Sequence, residues 1–310
     1  MAFEETTLNR PDGAKLALYQ MPAKGEAKAI VQINHGMAEH TGRYARFAQT
    51  LTQSGYHVIA HDHRGHGKTN APGAALGHFG PRGSWQTVLE DVAAVRLYAQ
   101  DIWGTLPVII FGHSMGSIIA FNTILHEPNA YAAAALWNSG VENGPLATVF
   151  RAILKTQRFF LGSDVPSTLA RKLTFDMWNK AFAPNRTDFD WLSRDEAEVD
   201  KYITDPLCGF PVTIGLWLEV LTGIARANDG RALRRLPKAM PIHLLAGADD
   251  PCSENGQAVE HIAKRMKSVG MSAVDYTPLP TTRHESLNEV NRHEVTTNLI
   301  TWLGSQIIFD

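Results

Sequence analysis

The stretch Val108-Ile109-Ile110-Phe111-Gly112-His113-Ser114-Met115-Gly116-Ser117-Ile118-Ile119-Ala120 constrains the fold of this chain more than any other. It opens as a short β-branched apolar run, the pattern of a strand buried on both faces. It turns between Gly112 and Gly116, then continues apolar enough to be a buried helix. A strand that passes through Gly-x-Ser-x-Gly directly into a helix is a nucleophile elbow. So sharp a turn forces Ser114 into a strained backbone conformation. The flanking glycines avoid a Cβ that would strike the neighbouring strand or helix. The turn also lifts the Ser114 hydroxyl above the sheet edge at a helix N-terminus, where free N–H groups favour developing negative charge.

Around this stretch, strands and helices alternate. Phe3 to Leu8 and Lys15 to Tyr19, joined by Pro11-Asp12-Gly13, read as a hairpin at a sheet edge. Ala29 to Asn34, Tyr56 to Ala60, Ala132 to Asn138, Met240 to Gly247 and Val274 to Leu279 read as further strands. Helices are predicted over Tyr44 to Ser54, Trp85 to Gln100 with Ser84 as N-cap, Asn255 to Val269, and Glu289 to Gln306. The fold class is therefore α/β, a mostly parallel central sheet covered by helices on both faces. The pattern changes at about Gly140. From there to about Leu236 only helix-like stretches occur, Leu146 to Leu161, Ser167 to Asn179 and Val212 to Ala227, interrupted by Pro184, Asn185 and Pro206. The expected organisation is a core over residues 1–140, a helical cap over 141–236, and the core resumed over 237–310.

Three strand ends carry the chemistry. A serine hydroxyl is a weak nucleophile at neutral pH and needs a histidine base, which in turn needs an acid to fix its tautomer. Asp250, in Gly247-Ala248-Asp249-Asp250-Pro251, follows one strand, and His284, in Arg283-His284-Glu285, follows the last. Asp249 is the alternative acid. Both loops lie past the C-terminal ends of strands, where open parallel sheets form their crevices. His113 adjoins Ser114, but the elbow directs it to the core, so it reads as a packed histidine. An oxyanion hole needs two convergent backbone N–H groups. Met115, after the serine, supplies one. Met37, in His35-Gly36-Met37 after an earlier strand, is the choice for the other, with Gly36 letting the backbone approach closely.

Composition excludes other classes. With a net charge of -2 over 310 residues, the chain has no general attraction to nucleic acid or to anionic membranes. Two cysteines, Cys208 and Cys252, make no disulfide framework and have no metal-ligand spacing. The N-terminal residues lack the basic-then-apolar pattern of a signal peptide, and no apolar run is long enough to span a bilayer. A cytoplasmic protein without stable membrane insertion is expected; transient contact of an apolar cap with a lipid surface stays open. The run His61-Asp62-His63-Arg64-Gly65-His66-Gly67 invites a zinc reading. The interleaved glycines and Arg64 fit a tight loop held by an Asp–Arg contact better, so neither metal nor cofactor is expected.

Taken together, these residues resemble the α/β-hydrolase superfamily and, within it, the monoacylglycerol lipase and lysophospholipase group filed with serine aminopeptidase-type hydrolases. The matching pieces are His35-Gly36-x-x-Glu39-His40-x-Gly42-Arg43-Tyr44, Asp62-x-Arg64-Gly65-His66-Gly67, Gly112-His113-Ser114-Met115-Gly116, Asp250-Pro251 and His284-Glu285. The resemblance implies Ser114 as nucleophile, Asp250 and His284 as its triad partners, Met37 and Met115 as oxyanion donors, and a helical cap between sheet strands.

The expected function is a serine carboxylic-ester hydrolase acting through an acyl-enzyme on a small-molecule or lipid ester. Phe150, Ile153 and Leu154, with Val149 and Phe159-Phe160-Leu161, are the candidates for an acyl pocket in the cap. The same triad could act on amide, peptide or carbon–carbon bonds or transfer an acyl group. A non-catalytic binding protein on this fold would instead show a damaged triad.

Overall fold

The computed structural model describes residues 2–140 and 144–306. In chain order, the first half comprises β1 (Glu4–Asn9), β2 (Lys15–Met21), β3 (Ala29–Asn34), α1 (Ala45–Gln53), β4 (Tyr56–His61), α2 (Ser84–Trp103), β5 (Val108–His113), α3 (Met115–His126) and β6 (Ala133–Trp137). There follow α4 (Pro145–Leu161), α5 (Thr168–Leu173), α6 (Phe175–Lys180), α7 (Glu196–Thr204), α8 (Ile214–Ala227) and α9 (Gly230–Arg234). The chain closes with β7 (Ile242–Gly247), α10 (Gln257–Ser268), β8 (Val274–Leu279) and α11 (Arg292–Gln306).

One eight-stranded sheet runs in the order β1-β2-β4-β3-β5-β6-β7-β8. The hairpin β1–β2 and the pair β2–β4 are antiparallel. All other pairs are parallel, so their crossovers carry helices. Side-chain alternation divides each strand between two cores. On β5, Val108 and Ile110 join α2, α3, α8 and α10 in one core, while Ile109 and Phe111 join α1 and α11 in the other. With both faces covered, β3, β5, β6 and β7 are buried along their whole length. This is the α/β-hydrolase fold.

The stretch between β6 and β7 adds helices to this core. The expected cap start at residue 141 lies outside the described residues. The structure departs from expectation at several details. The predicted helix from Ser167 to Asn179 is two helices, because Thr174 leaves the helical region (φ -124°, ψ -92°) and its hydroxyl donates to the Ala170 carbonyl at 2.7 Å. Helix α7 was not predicted, although Asp195 caps it by accepting from the Ala197 and Glu198 N–H groups.

Ser84 does not cap α2. It lies inside the helix, buried, with its hydroxyl unpaired among the described residues. The free N–H groups are taken instead by a carboxylate on α8: Glu219 accepts from the Gly83 N–H at 2.8 Å and from the Trp85 N–H at 3.1 Å. A negative charge at a helix N-terminus also complements the helix dipole. Glu219→Ala is expected to cost about 1 kcal/mol, a melting temperature lower by about 2 °C. A thermal melt of the variant checks this.

Candidate active site

The elbow has the strain that its sequence demands. Ser114 sits at φ 54° and ψ -121°, at the N-cap of α3. Gly116 allows the turn to close, since a Cβ there would lie 2.1 Å from the Asn34 carbonyl oxygen on β3. The Ser114 N–H donates to the Trp137 carbonyl at 2.9 Å, which ties the turn to the end of β6.

Ser114, His284 and Asp250 form one hydrogen-bonded chain. Ser114 Oγ is 2.9 Å from His284 Nε2, and His284 Nδ1 is 3.0 Å from Asp250 Oδ1. Nδ1–H donates to the carboxylate, which leaves Nε2 to accept the serine proton. Asp250 is wholly buried, whereas Asp249 is exposed. Burial pushes the Asp250 carboxyl up, but the His284 imidazole and the Cys252 N–H more than offset it and hold the group below its usual range.

Met37 and Met115 line the same cavity as Ser114. Neither backbone N–H has an acceptor among the described residues. Gly36 presses its backbone against the serine: a Cβ on it would be 3.4 Å from Ser114 Cβ and 2.6 Å from Glu39 Oε1.

Glu39 links these loops. Its Oε1 accepts from the Gly36 N–H at 2.6 Å and from the Tyr44 hydroxyl at 2.7 Å. Its Oε2 accepts from Arg43 at 2.6 Å, and Arg43 also pairs with Glu285 beside His284. His113 is buried, as expected of a packed histidine, and its ring nitrogens also complete the network. Its Nε2–H donates to the His284 carbonyl at 3.0 Å, and its Nδ1 stands 3.5 Å from Glu39 Oε1. Burial opposes a charge on His113, but the Glu39 carboxylate outweighs it and raises the imidazole above its ordinary value. Burial likewise opposes charge on Glu39, yet His113 and Arg43 hold it well below the usual carboxylate range. Sequence reading missed this function of Glu39, Arg43 and His113, although the longest motif contained the first two.

The stretch between β6 and β7 also reaches the site. The carbonyls of Trp191 and Leu192 accept from the His284 and Glu285 N–H groups at 3.4 and 2.7 Å. The Trp191 ring lies 4.8 Å from the His284 ring. Above Ser114 opens a mainly apolar cavity of about 680 Å³, within the ~300–1,000 Å³ typical of pockets that enclose a small ligand. Phe150 and Ile153 line it, as does Val149. Leu154 does not: on the same helix it faces inward and is wholly buried in the core. Phe159, Phe160 and Leu161 turn to solvent, with Phe159 83% exposed. Helical periodicity accounts for the division, since a helix that covers a core presents only one stripe to it.

The histidine run holds no converging ligand set: among the described residues, His61, His63 and His66 do not bring ring nitrogens within 4.8 Å of one another. The expected Asp–Arg contact is present, but its aspartates come from outside the run. Arg64 pairs with Asp91 and Asp12, whereas Asp62 accepts from the Tyr19 hydroxyl and from the Thr41 and Lys68 N–H groups. Among the described residues, no helix is long and apolar enough to cross a membrane.

Comparison with known proteins gives the family. The family model for serine aminopeptidase, S33, matches residues 25–291. Monoglyceride lipase of Rattus norvegicus is 28% identical over 96% of this chain and 89% of its own length. Phospholipase YtpA of Bacillus subtilis is 35% identical over 86% of this chain and 92% of its own. Among solved structures, a highly thermostable carboxyl esterase from Bacillus coagulans superposes with a TM-score of 0.88 at 25% identity, covering 99% of this chain and all of that one. The family match spans β3 to β8 and the loops that carry Ser114, Asp250 and His284, so the chain belongs to the serine aminopeptidase S33 family of α/β-hydrolases, in its monoglyceride lipase-like group.

Proposed function

We propose that this ester-hydrolysing enzyme works through Ser114, His284 and Asp250 by way of an acyl-enzyme. Ser114 Oγ attacks the ester carbonyl carbon while His284 Nε2 takes its proton. Asp250 holds the imidazole in the required tautomer and stabilises its charged form. The oxyanion rests on the N–H groups of Met37 and Met115. The imidazolium then protonates the departing alkoxide, which leaves as the alcohol. Water enters, gives its proton to His284 and attacks the acyl carbon; the carboxylic acid leaves as Ser114 regains its proton.

The observation that carries this reading is the unbroken chain of 2.9 and 3.0 Å contacts from Ser114 through His284 to a buried carboxylate, at the floor of an apolar cavity. The relatives supply the bond type, since their names are those of a monoglyceride lipase, a phospholipase and a carboxyl esterase. The proposed substrates are esters of a medium or long acyl chain, such as a monoacylglycerol or a lysophospholipid. The helical stretch before β7 acts as the cap, with Phe150 and Ile153 against the chain.

A series of p-nitrophenyl esters of increasing acyl length, beside monoacylglycerol and lysophospholipid, tests the proposal. A clear length optimum is expected; a folded protein that turns over no ester would overturn the reading. Phe150→Ala is expected to reduce kcat/KM for a long-chain ester about tenfold while leaving the butyrate ester within about twofold, from the apolar contact it removes. Equal losses on both esters would argue against an acyl pocket in the cap.

A further inference from the structure

We propose that Tyr202, on α7 of the helical stretch, is a positioning residue of the oxyanion loop, its hydroxyl holding the Ala38 carbonyl and thereby the aim of the Met37 N–H. This rests on the assignment of Met37 as an oxyanion donor made above.

Ala38 has a left-handed backbone, φ 55°, without being glycine. Such a conformation costs on the order of 1 kcal/mol and persists only where neighbours impose it. Its carbonyl is where they act. It accepts from the Tyr202 hydroxyl at 2.9 Å and from the Gly209 N–H at 2.9 Å. Both donors come from the stretch between β6 and β7. Tyr202 is itself held in place: it is 6% exposed, its ring packs 5.1 Å from that of Phe189, and the Arg43 guanidinium lies 4.8 Å over its face.

Met37 therefore stands between two anchors of different origin. On one side the Gly36 N–H is held by Glu39, from the core. On the other the Ala38 carbonyl is held from the helical stretch. Loss of the Tyr202 bond leaves the Gly209 N–H alone on that carbonyl and lets the strained Ala38 relax, and rotation there redirects the peptide that carries the Met37 N–H. The cap then does more than cover the acyl chain: part of the oxyanion geometry is set by it.

Tyr202 also lines the cavity, so a direct contact with substrate is the rival role. The two roles separate kinetically. Tyr202→Phe removes one oxygen and keeps the ring under Arg43. We expect kcat for p-nitrophenyl butyrate to fall about tenfold, less than the hundredfold or more seen when an oxyanion donor is deleted, because this one is only misdirected. KM should stay within about twofold, and the ratio should be the same for a long-chain ester. Inactivation by a p-nitrophenyl phosphonate should slow by the same factor, since its phosphoryl oxygen occupies the same hole. An unchanged kcat would overturn the proposal. So would a rise in KM confined to one acyl length or alcohol, which would mark a substrate contact, or a rate loss matched by a lower folded fraction in a thermal melt. Ser114→Ala runs beside it: activity surviving there would defeat the underlying mechanism, whereas its loss together with an unaltered Tyr202→Phe would defeat this inference alone.

Discussion

Ser114→Ala is expected to lower kcat for a soluble ester by about 10⁵- to 10⁶-fold, the scale seen when a relay serine is removed from a hydrolase. On the proposed mechanism the loss is this large because Ser114 is the nucleophile that His284 activates. Cys252 also lines the cavity, but burial and the neighbouring Asp250 carboxylate push its thiol well above its ordinary value, so it stays protonated and unreactive. Asp250→Asn is expected to cost about 10⁴-fold, less than the serine, because the oxyanion donors remain while the imidazole holds the wrong tautomer. A covalent phosphonate should label the wild type and the Asp250→Asn variant, the latter slowly, and leave Ser114→Ala unmodified. Comparable turnover by wild type and Ser114→Ala, with both melting at the same temperature, would defeat the mechanism.

Acid is expected to unfold this protein well before its carboxylates titrate. His35, His61, His63 and His66 are buried together, with His35 and His63 ring centroids 4.5 Å apart and His61 and His63 4.7 Å apart. Both ring nitrogens of His61 and of His63 lack partners among the described residues. Burial lowers all four imidazoles, His61 and His66 each to about 3. Unfolding releases each to an ordinary value near 6.5. Between those limits the unfolded chain binds more protons, so stability is full above about pH 6.5 and declines as pH falls towards the folded values. Each such proton contributes about 1.4 kcal/mol per pH unit to the slope. Below about pH 4, Asp250 and Glu39, whose carboxyls are held low, add to the loss. Urea unfolding at a series of pH values reads the slope directly. His61→Phe, which removes one titrating ring and two unpaired nitrogens, is expected to flatten the slope by about one proton and to raise stability at pH 5 relative to wild type. An unaltered slope would show that His61 is not among the groups taking up protons.

Local chemistry made much of this protein legible. The elbow, the parallel strands around it and the edge hairpin are each specified within a few neighbouring residues: apolar runs of strand length, and glycine where a Cβ would meet 2.1 Å of space beside Asn34. The chain order of Ser114, Asp250 and His284 likewise placed them at strand ends, and their 2.9 and 3.0 Å contacts follow from the parallel sheet. Much of what could not be read depends on a partner that lies far along the chain. Ser84 is a good capping residue by type, but Glu219 takes the position from 136 and 134 residues away, because α8 packs beside α2. His113 looks like packing until the fold brings Glu39 to one nitrogen and the His284 carbonyl to the other. Phe150 and Leu154 have the same apolar character and lie on one helix, yet only the packing of α4 against α8 turns one to the cavity and the other to the core.

The sequence alone therefore determined the class of fold and the residue types available for catalysis, since strand length, turn chemistry and hydrophobic period act over one element at a time. The tertiary structure decided which polar groups meet. His113 and Tyr202 acquire their partners only when loops from the sheet and helices from the stretch before β7 converge on one edge, and that convergence depends on burying surfaces that no single element possesses.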